Sequence, residues 1–205
     1  MNSKDYFDEV AHQWDEMRKG FFSDAIRDKA FSISGVQPGK IAADVGAGTG
    51  FITEELIRRG LRVIAIDQSE EMLIEMKKKF QDVDTIDYRI GKAESLPIED
   101  ESVDYVFANM FLHHVEDPRV AIKEMVRILK QGGILVITDL NEHDFEFLKI
   151  EHHDHWMGFK RENVKHWFME AGLKNVKVKC TDEDCCAKSI YGDVNISIFV
   201  ASGEK

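Results

Sequence analysis

The densest chemical signal in the sequence is Asp44-Val45-Gly46-Ala47-Gly48-Thr49-Gly50, which leaves the apolar run Ile41–Val45 and enters a helical stretch at 50–59. Glycines in such a turn let a ligand approach the backbone, and the first turn of the following helix offers N–H groups without intrahelical partners. About 20 residues on, Asp67 ends the next apolar run, where a carboxylate can accept from both hydroxyls of a ribose. The register is G-x-G-x-G, with Phe51 standing where the dinucleotide fingerprint G-x-G-x-x-G has its third glycine. A nucleoside-type cofactor is expected, and an NAD-dependent oxidoreductase stays open as one alternative.

A second signal lies further along. His143, His152, His153 and His155 are interleaved with Asp144, Glu151 and Asp154, and Trp156 follows. If 147–157 is helical, Glu151 and His155 fall one turn apart, as do His152 and His155. Such a face can bind zinc or another transition metal, or it can be a polar helix with an aromatic anchor. Cys180 ends a later apolar run, and Cys185-Cys186 follow in what reads as a loop. Thiolates would add a soft-metal or metalloid preference. The candidates for a metal or substrate rim are therefore His152, His155, Cys185 and Cys186, with inert cysteines and a solvated histidine face as the bland alternative. His113 and His114, just past the run Val103–Asn109, are the nearest candidates for proton transfer.

The elements that must position these groups follow from periodicity. Residues 4–18 read as an amphipathic helix with Phe7, Val10, Trp14 and Met17 on one side, and a second helix is predicted at about 22–33. Tyr6, Phe7, Trp14 and Phe21 either pack on a sheet or face an acceptor. Strands are predicted at 41–45, 62–66, 85–90, 103–109 and 134–139, with helices at 50–59, 70–80 and 117–130 between them. Ser69 reads as the cap of the helix at 70–80. A helix at 161–171 closes at Gly172, and strands follow at 176–180 and 194–201 with a loop from 181 to 193. Alternation of strand and helix implies a parallel α/β sheet with right-handed crossovers, whose ligands bind beyond the carboxyl ends of the strands. The missing helix between the last two strands suits an antiparallel pair.

Composition bounds the partners. The chain has 205 residues, with 27 Lys+Arg against 38 Asp+Glu, a net charge of −11. That size fits one domain with core enough to need no disulfide or metal for folding. The acidity argues against nucleic acid and against anionic membrane surfaces. No apolar stretch is long enough to span a membrane, and the charged start MNSKDYFDEV is unlike a signal peptide. Three clustered cysteines form no disulfide framework and fit a reducing compartment. A cytoplasmic location is expected.

Taken in order, D-V-G-A-G-T-G, I-D-Q-S-E-E-M-L, G-K-A-E-S-L-P-I and V-F-A-N-M-F-L-H-H-V-E-D-P resemble the class I S-adenosylmethionine-dependent methyltransferases, in particular the ubiquinone/menaquinone C-methyltransferase branch. The resemblance covers roughly residues 40–140. It implies a Rossmann-like sheet of seven strands in the order 3-2-1-4-5-7-6, mostly parallel with the last strand antiparallel. It also implies helices on both faces and an N-terminal helical lid. The expected parts of the single domain are a helical segment at 1–36, a cofactor core at 37–140 and an acceptor-side segment with the final strand pair at 141–205. Carried over by motif, Gly46, Gly48 and Gly50 would line the methionine part of the cofactor, and Asp44 would organise the turn or meet its ammonium. Asp67 would take the ribose hydroxyls, Gln68 and Met72 would flank the adenine, Ala93 and Glu94 would lie at its other edge, and Asn109 beside the sulfonium. Lys92 departs from the family, which often has Asp there; lysine cannot accept from the adenine amino group.

The implied reaction is in-line transfer of the sulfonium methyl to a small-molecule acceptor, leaving S-adenosylhomocysteine. Met-Phe-Leu after Asn109 differs from the Pro-Pro-aromatic run of amino-methylating DNA enzymes. A cofactor-binding sensor or accessory subunit without turnover is the alternative from another class.

Overall fold

The computed structural model describes residues 3–189 and 192–205. Ile41–Val45 (β1), Arg62–Asp67 (β2), Ile86–Ile90 (β3), Val103–Asn109 (β4) and Leu129–Leu140 (β5) pair in parallel in the order β3-β2-β1-β4-β5. Strands buried on both faces read as apolar runs, and β4 shows how the period of two divides them. Tyr105 and Phe107 join the core on one face, and Val106 and Ala108 join the core on the other; Val103, which lies before a register irregularity between it and Tyr105, joins the second core out of step.

Helices Ala25–Ser34 (α3) and Phe51–Arg58 (α4) cover the first face, where Ile26 and Leu56 are fully buried. Glu70–Lys79 (α5) adds Leu73 and Met76 to the same core. Pro118–Ile128 (α6) and Arg161–Glu170 (α8) cover the second face with Ile122, Met125 and Phe168. Two caps fix helix starts beside the sheet rim. Ser69 Oγ accepts from Met72 N, and Asp117 accepts from Arg119 N and Val120 N with Pro118 in the first turn.

Gly192–Glu204 (β7) runs antiparallel between β5 and Lys174–Ser189 (β6), completing the order β3-β2-β1-β4-β5-β7-β6. Topology and the antiparallel final strand agree with the expectation. The expected loop at 181–193 does not: β6 resumes pairing at Asp184 and continues to Ser189 after a register shift between Cys180 and Asp184. The acidic run Thr181–Asp184 reads as a loop, yet an edge strand pairs through its backbone and tolerates charged side chains there. Residues 190 and 191 of that expected loop lie outside the described residues.

The N-terminal segment is two helices rather than one. Ser3–Val10 (α1) and Trp14–Phe21 (α2) are joined by a 3₁₀ turn at Ala11–Gln13 that bends the chain over the carboxyl ends of the strands. Val10 and Ala11 pack on Met72 of α5. Three polar pairs tie these helices down: Ser69 Oγ donates to Asp8 (2.6 Å), Thr49 Oγ1 to Asp15 (2.6 Å), and Lys79 Nζ to Asp15 (3.2 Å). No helix among the described residues is long and apolar enough to cross a membrane.

Candidate active site

The glycine turn after β1 is stitched to β2. Gly46 N and Ala47 N both donate to Ile66 O, at 2.9 and 3.0 Å. Gly46 has φ +69°, and a Cβ there would stand 2.1 Å from the Phe111 ring, so only glycine fits beneath that ring. Gly48 has φ +54°, and a Cβ there would make only an ordinary contact, 3.7 Å from Trp14 Nε1. Gly50 differs from the expectation: its Cβ direction meets Phe80 and Met76, so its smallness serves the packing of α4 on α5 and not the cleft.

Asp67 ends β2 with its carboxylate oriented by the backbone. Oδ2 accepts from Gly48 N (2.8 Å) and Oδ1 from Ser69 N (2.9 Å). Burial raises its pKa against those hydrogen bonds. Beside it opens a cleft of about 370 Å³ lined by Gly46, Asp67, Gln68, Ala93, Glu94 and His114 among others. Lys92 and His155 lie on its wall.

Deeper in, a narrower cavity of about 70 Å³ brings together Asp44, Gly48, Thr49, Met72, Asn109 and Arg18. Asp44 is buried and accepts from Thr53 Oγ1 at 2.7 Å; burial pushes its pKa up to about 7 against that bond. Asn109 Oδ1 is held by Thr138 Oγ1 at 2.7 Å. Arg18 was not anticipated. Its guanidinium lies 4.0 Å from the centre of the Phe51 ring, and its Nε is buried without a partner.

A third space, about 60 Å³, is walled by Tyr6, Phe7, Trp14 and Phe21 from the N-terminal helices, by Leu148 and His152, and by Cys185 of β6. The rings meet edge to face, with Phe7 5.0 Å from His114 and Phe21 5.1 Å from His152. His114 borders all three spaces. It therefore stands where the wide cleft and the narrow cavity meet the aromatic chamber.

His113 and His114 occupy a 3₁₀ turn whose shape is set by Asp139 at the end of β5. Asp139 Oδ2 accepts from Leu112 N (2.7 Å), Phe111 N (3.2 Å) and His113 N (3.3 Å), and Oδ1 pairs with His113 Nδ1 at 2.7 Å. The segment after Phe147–Glu151 (α7) docks on the same turn: His155 N and Trp156 N both donate to His113 O, and Trp156 Nε1 donates to Val115 O. That docking brings Asp154 to both histidines, 3.9 Å from His113 Nε2 and 3.6 Å from His114 Nδ1. Burial opposes charge on His113, but the Asp139 and Asp154 carboxylates overcome it and raise its pKa to about 9. Burial, then the neighbouring His113, hold His114 well below the ordinary histidine value. Burial lifts Asp154 to about 6 and the Cys185 thiol to about 12.

The four candidate rim residues do not come together as a ligand set among the described residues. The helix at 147–157 ends at Glu151, because Leu148 O accepts from both His152 N and Asp154 N and His153 turns left-handed at φ +57°. Glu151 and His155 therefore share no helical face. His155 lines the large cleft, Cys186 is exposed, and only His152 and Cys185 enter the chamber. Asp139 was missed although it ends a parallel strand at the ligand-binding rim, a position that carries its own signal.

A methyltransferase-domain profile matches residues 43–137. A demethylmenaquinone methyltransferase of Renibacterium salmoninarum is 39% identical over 111 residues, 54% of this chain and 46% of that protein. The chain spans less than half the length of the first relatives it matches. The demethylmenaquinone methyltransferase of Staphylococcus aureus strain JH9 is 31% identical over 182 residues, and the match covers 75% of this chain and 76% of that one. The chain belongs to the class I S-adenosylmethionine-dependent methyltransferases. The fold of this chain is shared by a Haloferax volcanii protein described as a putative methyltransferase in complex with the Trm112 activator, with TM-score 0.79, 20% identity, and coverage of 97% and 96% of the two chains. At that identity the likeness concerns the fold alone.

Proposed function

We propose that this chain transfers a methyl group from S-adenosylmethionine to a small, largely apolar acceptor carrying an aromatic ring. The reading is carried by one arrangement: the cofactor-type cavities and the aromatic chamber share the His114 wall. The residues fit the cofactor. Asp44 and Arg18 line one narrow cavity and supply opposite charges for the two ends of a methionine zwitterion, and the buried Arg18 Nε lacks a protein partner. Asp67 is fixed with oxygen lone pairs left for ribose hydroxyls, while Gln68, Ala93 and Glu94 line the wider cleft suited to the adenine. Bound S-adenosylmethionine supplies an electrophilic sulfonium methyl, so positioning and exclusion of water can provide much of the catalysis. Phe7, Trp14 and Phe21 exclude that water and orient the acceptor. His114, held neutral and stripped of hydrogen-bond partners at Nδ1, borders the space between the two ligands.

The relatives named as quinone methyltransferases support a ring-bearing acceptor. A subunit that only sensed the cofactor would share the glycine turn and Asp67 but would have no use for the chamber. We place the activity in the cytoplasm on the clustered free cysteines, which fit a reducing compartment. The deciding experiment pairs calorimetry against S-adenosylhomocysteine with turnover of methyl-labelled S-adenosylmethionine on a panel of phenols, quinols, amines and thiols. Micromolar binding with turnover on at least one ring-bearing acceptor is expected. Binding without turnover on any acceptor would leave the sensor reading standing instead.

A further inference from the structure

We infer that His113 Nε2, His114 Nδ1 and Asp154 Oδ1 form a transition-metal site whose open coordination position faces the aromatic chamber. Ligand atoms of the three residues all lie within 4.8 Å of one another, and this is the one such group of three or more among the described residues. Their side chains are 6%, 8% and 4% exposed, so each is more than nine-tenths buried.

Three observations point to an ion. His114 Nδ1 is buried with no hydrogen-bond partner, although it faces a carboxylate. The separations from Asp154 Oδ1, 3.6 and 3.9 Å, are too long for hydrogen bonds. They are close to the edges, about 3.3 Å, of a tetrahedron whose metal–ligand bonds are about 2.05 Å. Finally, Asp139 receives His113 Nδ1 at 2.7 Å, which fixes the ring and turns Nε2 toward Asp154. A carboxylate behind a ligating histidine is the usual way a protein orients that ligand. Two carboxylates at this point favour positive charge whatever carries it.

Two imidazoles and one carboxylate suit a borderline dication of the zinc, iron or cobalt type better than magnesium or calcium. Three protein ligands leave a position for an exogenous one, as catalytic zinc sites do. His152 and Cys185 line the chamber on that side without belonging to the ligand group. The exogenous ligand would be an ionisable heteroatom, a thiol or phenol, which on coordination would release its proton to bulk water and sit as the anion. That use of the open position rests on the methyl-transfer reading; the metal site itself does not.

The test uses the full tag-free chain, stripped with a chelator and titrated with Zn²⁺ against a chromophoric competitor. One equivalent is expected to bind with submicromolar affinity. His114→Ala and Asp154→Asn should each weaken binding by more than about 100-fold, and Asp139→Asn by about 10–100-fold. His152→Ala, which removes a neighbour that is not in the ligand group, should change it by less than about threefold. Asp154→Asn is nearly isosteric, so it reads the site should His114→Ala fail to fold. Co²⁺ in place of Zn²⁺ should give visible bands that are lost in Asp154→Asn and shifted by one equivalent of thiophenol. Substoichiometric zinc in the wild type, or affinity unmoved by Asp154→Asn, overturns the site. Unshifted cobalt bands overturn the open position. Calorimetry with S-adenosylhomocysteine on the same samples keeps the two readings apart: its affinity is expected to be independent of zinc, and its absence would count against the cofactor reading alone.

Discussion

Around the glycine turn, the backbone N–H groups and the two carboxylates fall within the short span from Asp44 to Ser69, with Asp67 held by Gly48 N and Ser69 N and Asp44 by the Thr53 hydroxyl. Around the chamber, the lining groups are side chains delivered from α1 and α2, from the turn after β4, from the segment after α7 and from the distant strand β6. The first region is written in consecutive residues, because a strand–turn–helix leaves little freedom in where its amides point. The second exists only once the sheet order has been set and Asp139 has gathered the 111–114 turn. A local site can thus be fixed by sequence motif while its neighbour is assembled from segments that share no motif.

The sharpest break of this comparison is Gly48→Val. Its side chain would enter the cavity and not a packed core. Binding of S-adenosylhomocysteine is expected to fall below calorimetric detection. The positive φ should cost about 1–2 kcal/mol of stability, read as a lowered but cooperative melting transition. Retained binding would move the cofactor away from this turn.

Asp67→Ala comes next. Loss of charge-assisted hydrogen bonds to the ribose should weaken S-adenosylhomocysteine by about 1.5–3 kcal/mol, roughly 10–150-fold. Because Gly48 N and Ser69 N also lose their acceptor, the melting temperature should drop as well. A change in melting without a change in affinity would make Asp67 a brace for the turn and nothing more.

The pH dependence of the same half follows from Asp44, whose pKa stands at about 7. If the carboxylate is the form that meets an ammonium, affinity should rise by about tenfold between pH 6 and pH 8, since the ionised fraction rises about tenfold across that range. Stability moves the other way. The native carboxyl holds its proton more tightly than an unfolded one, at 3.8, so between about pH 4 and 7 the native state binds more protons and stability falls as pH rises. Calorimetry and denaturant melts at three pH values read both. Flat affinity would detach Asp44 from the ligand.

Phe21→Ala is the smallest expected effect and addresses the other half. Phe21 walls the chamber and does not line either cofactor cavity. Truncating one aromatic contact should raise the acceptor KM by about fivefold, near 1 kcal/mol, and leave S-adenosylhomocysteine affinity unchanged. Equal losses in both would merge the two regions into one.

The legibility of the sequence follows the same division. The run from Asp44 to Gly50, the end of β2 at Asp67 and the cap at Ser69 are local signals, and the structure places them as motif and spacing imply, with Gly50 turned to packing. Asp139 and Arg18 escaped because their roles depend on what lies across the rim from them. The helix expected through 157 ended early at a left-handed His153, a turn that glycine would have announced and histidine does not. Of the four candidates, His152 and Cys185 line the chamber, whereas His155 lines the large cleft and Cys186 is exposed; the first difference depends on where α7 stops, the second on a strand in a stretch that reads as a loop.

The strand β6 forms one border of the sheet, and the stretch that reads as a loop in the sequence is where it bends. Asp182 there has φ +63°, and it and Asp184 are exposed. An open border is a template on which another chain can lay a further strand, and templates of this kind seed precipitation. Carboxylates at the bend break the straight line of donors and acceptors and bring like charge against like charge when two such borders meet. The same acidic residues that disguise the strand in the sequence therefore help keep this molecule dispersed at high concentration.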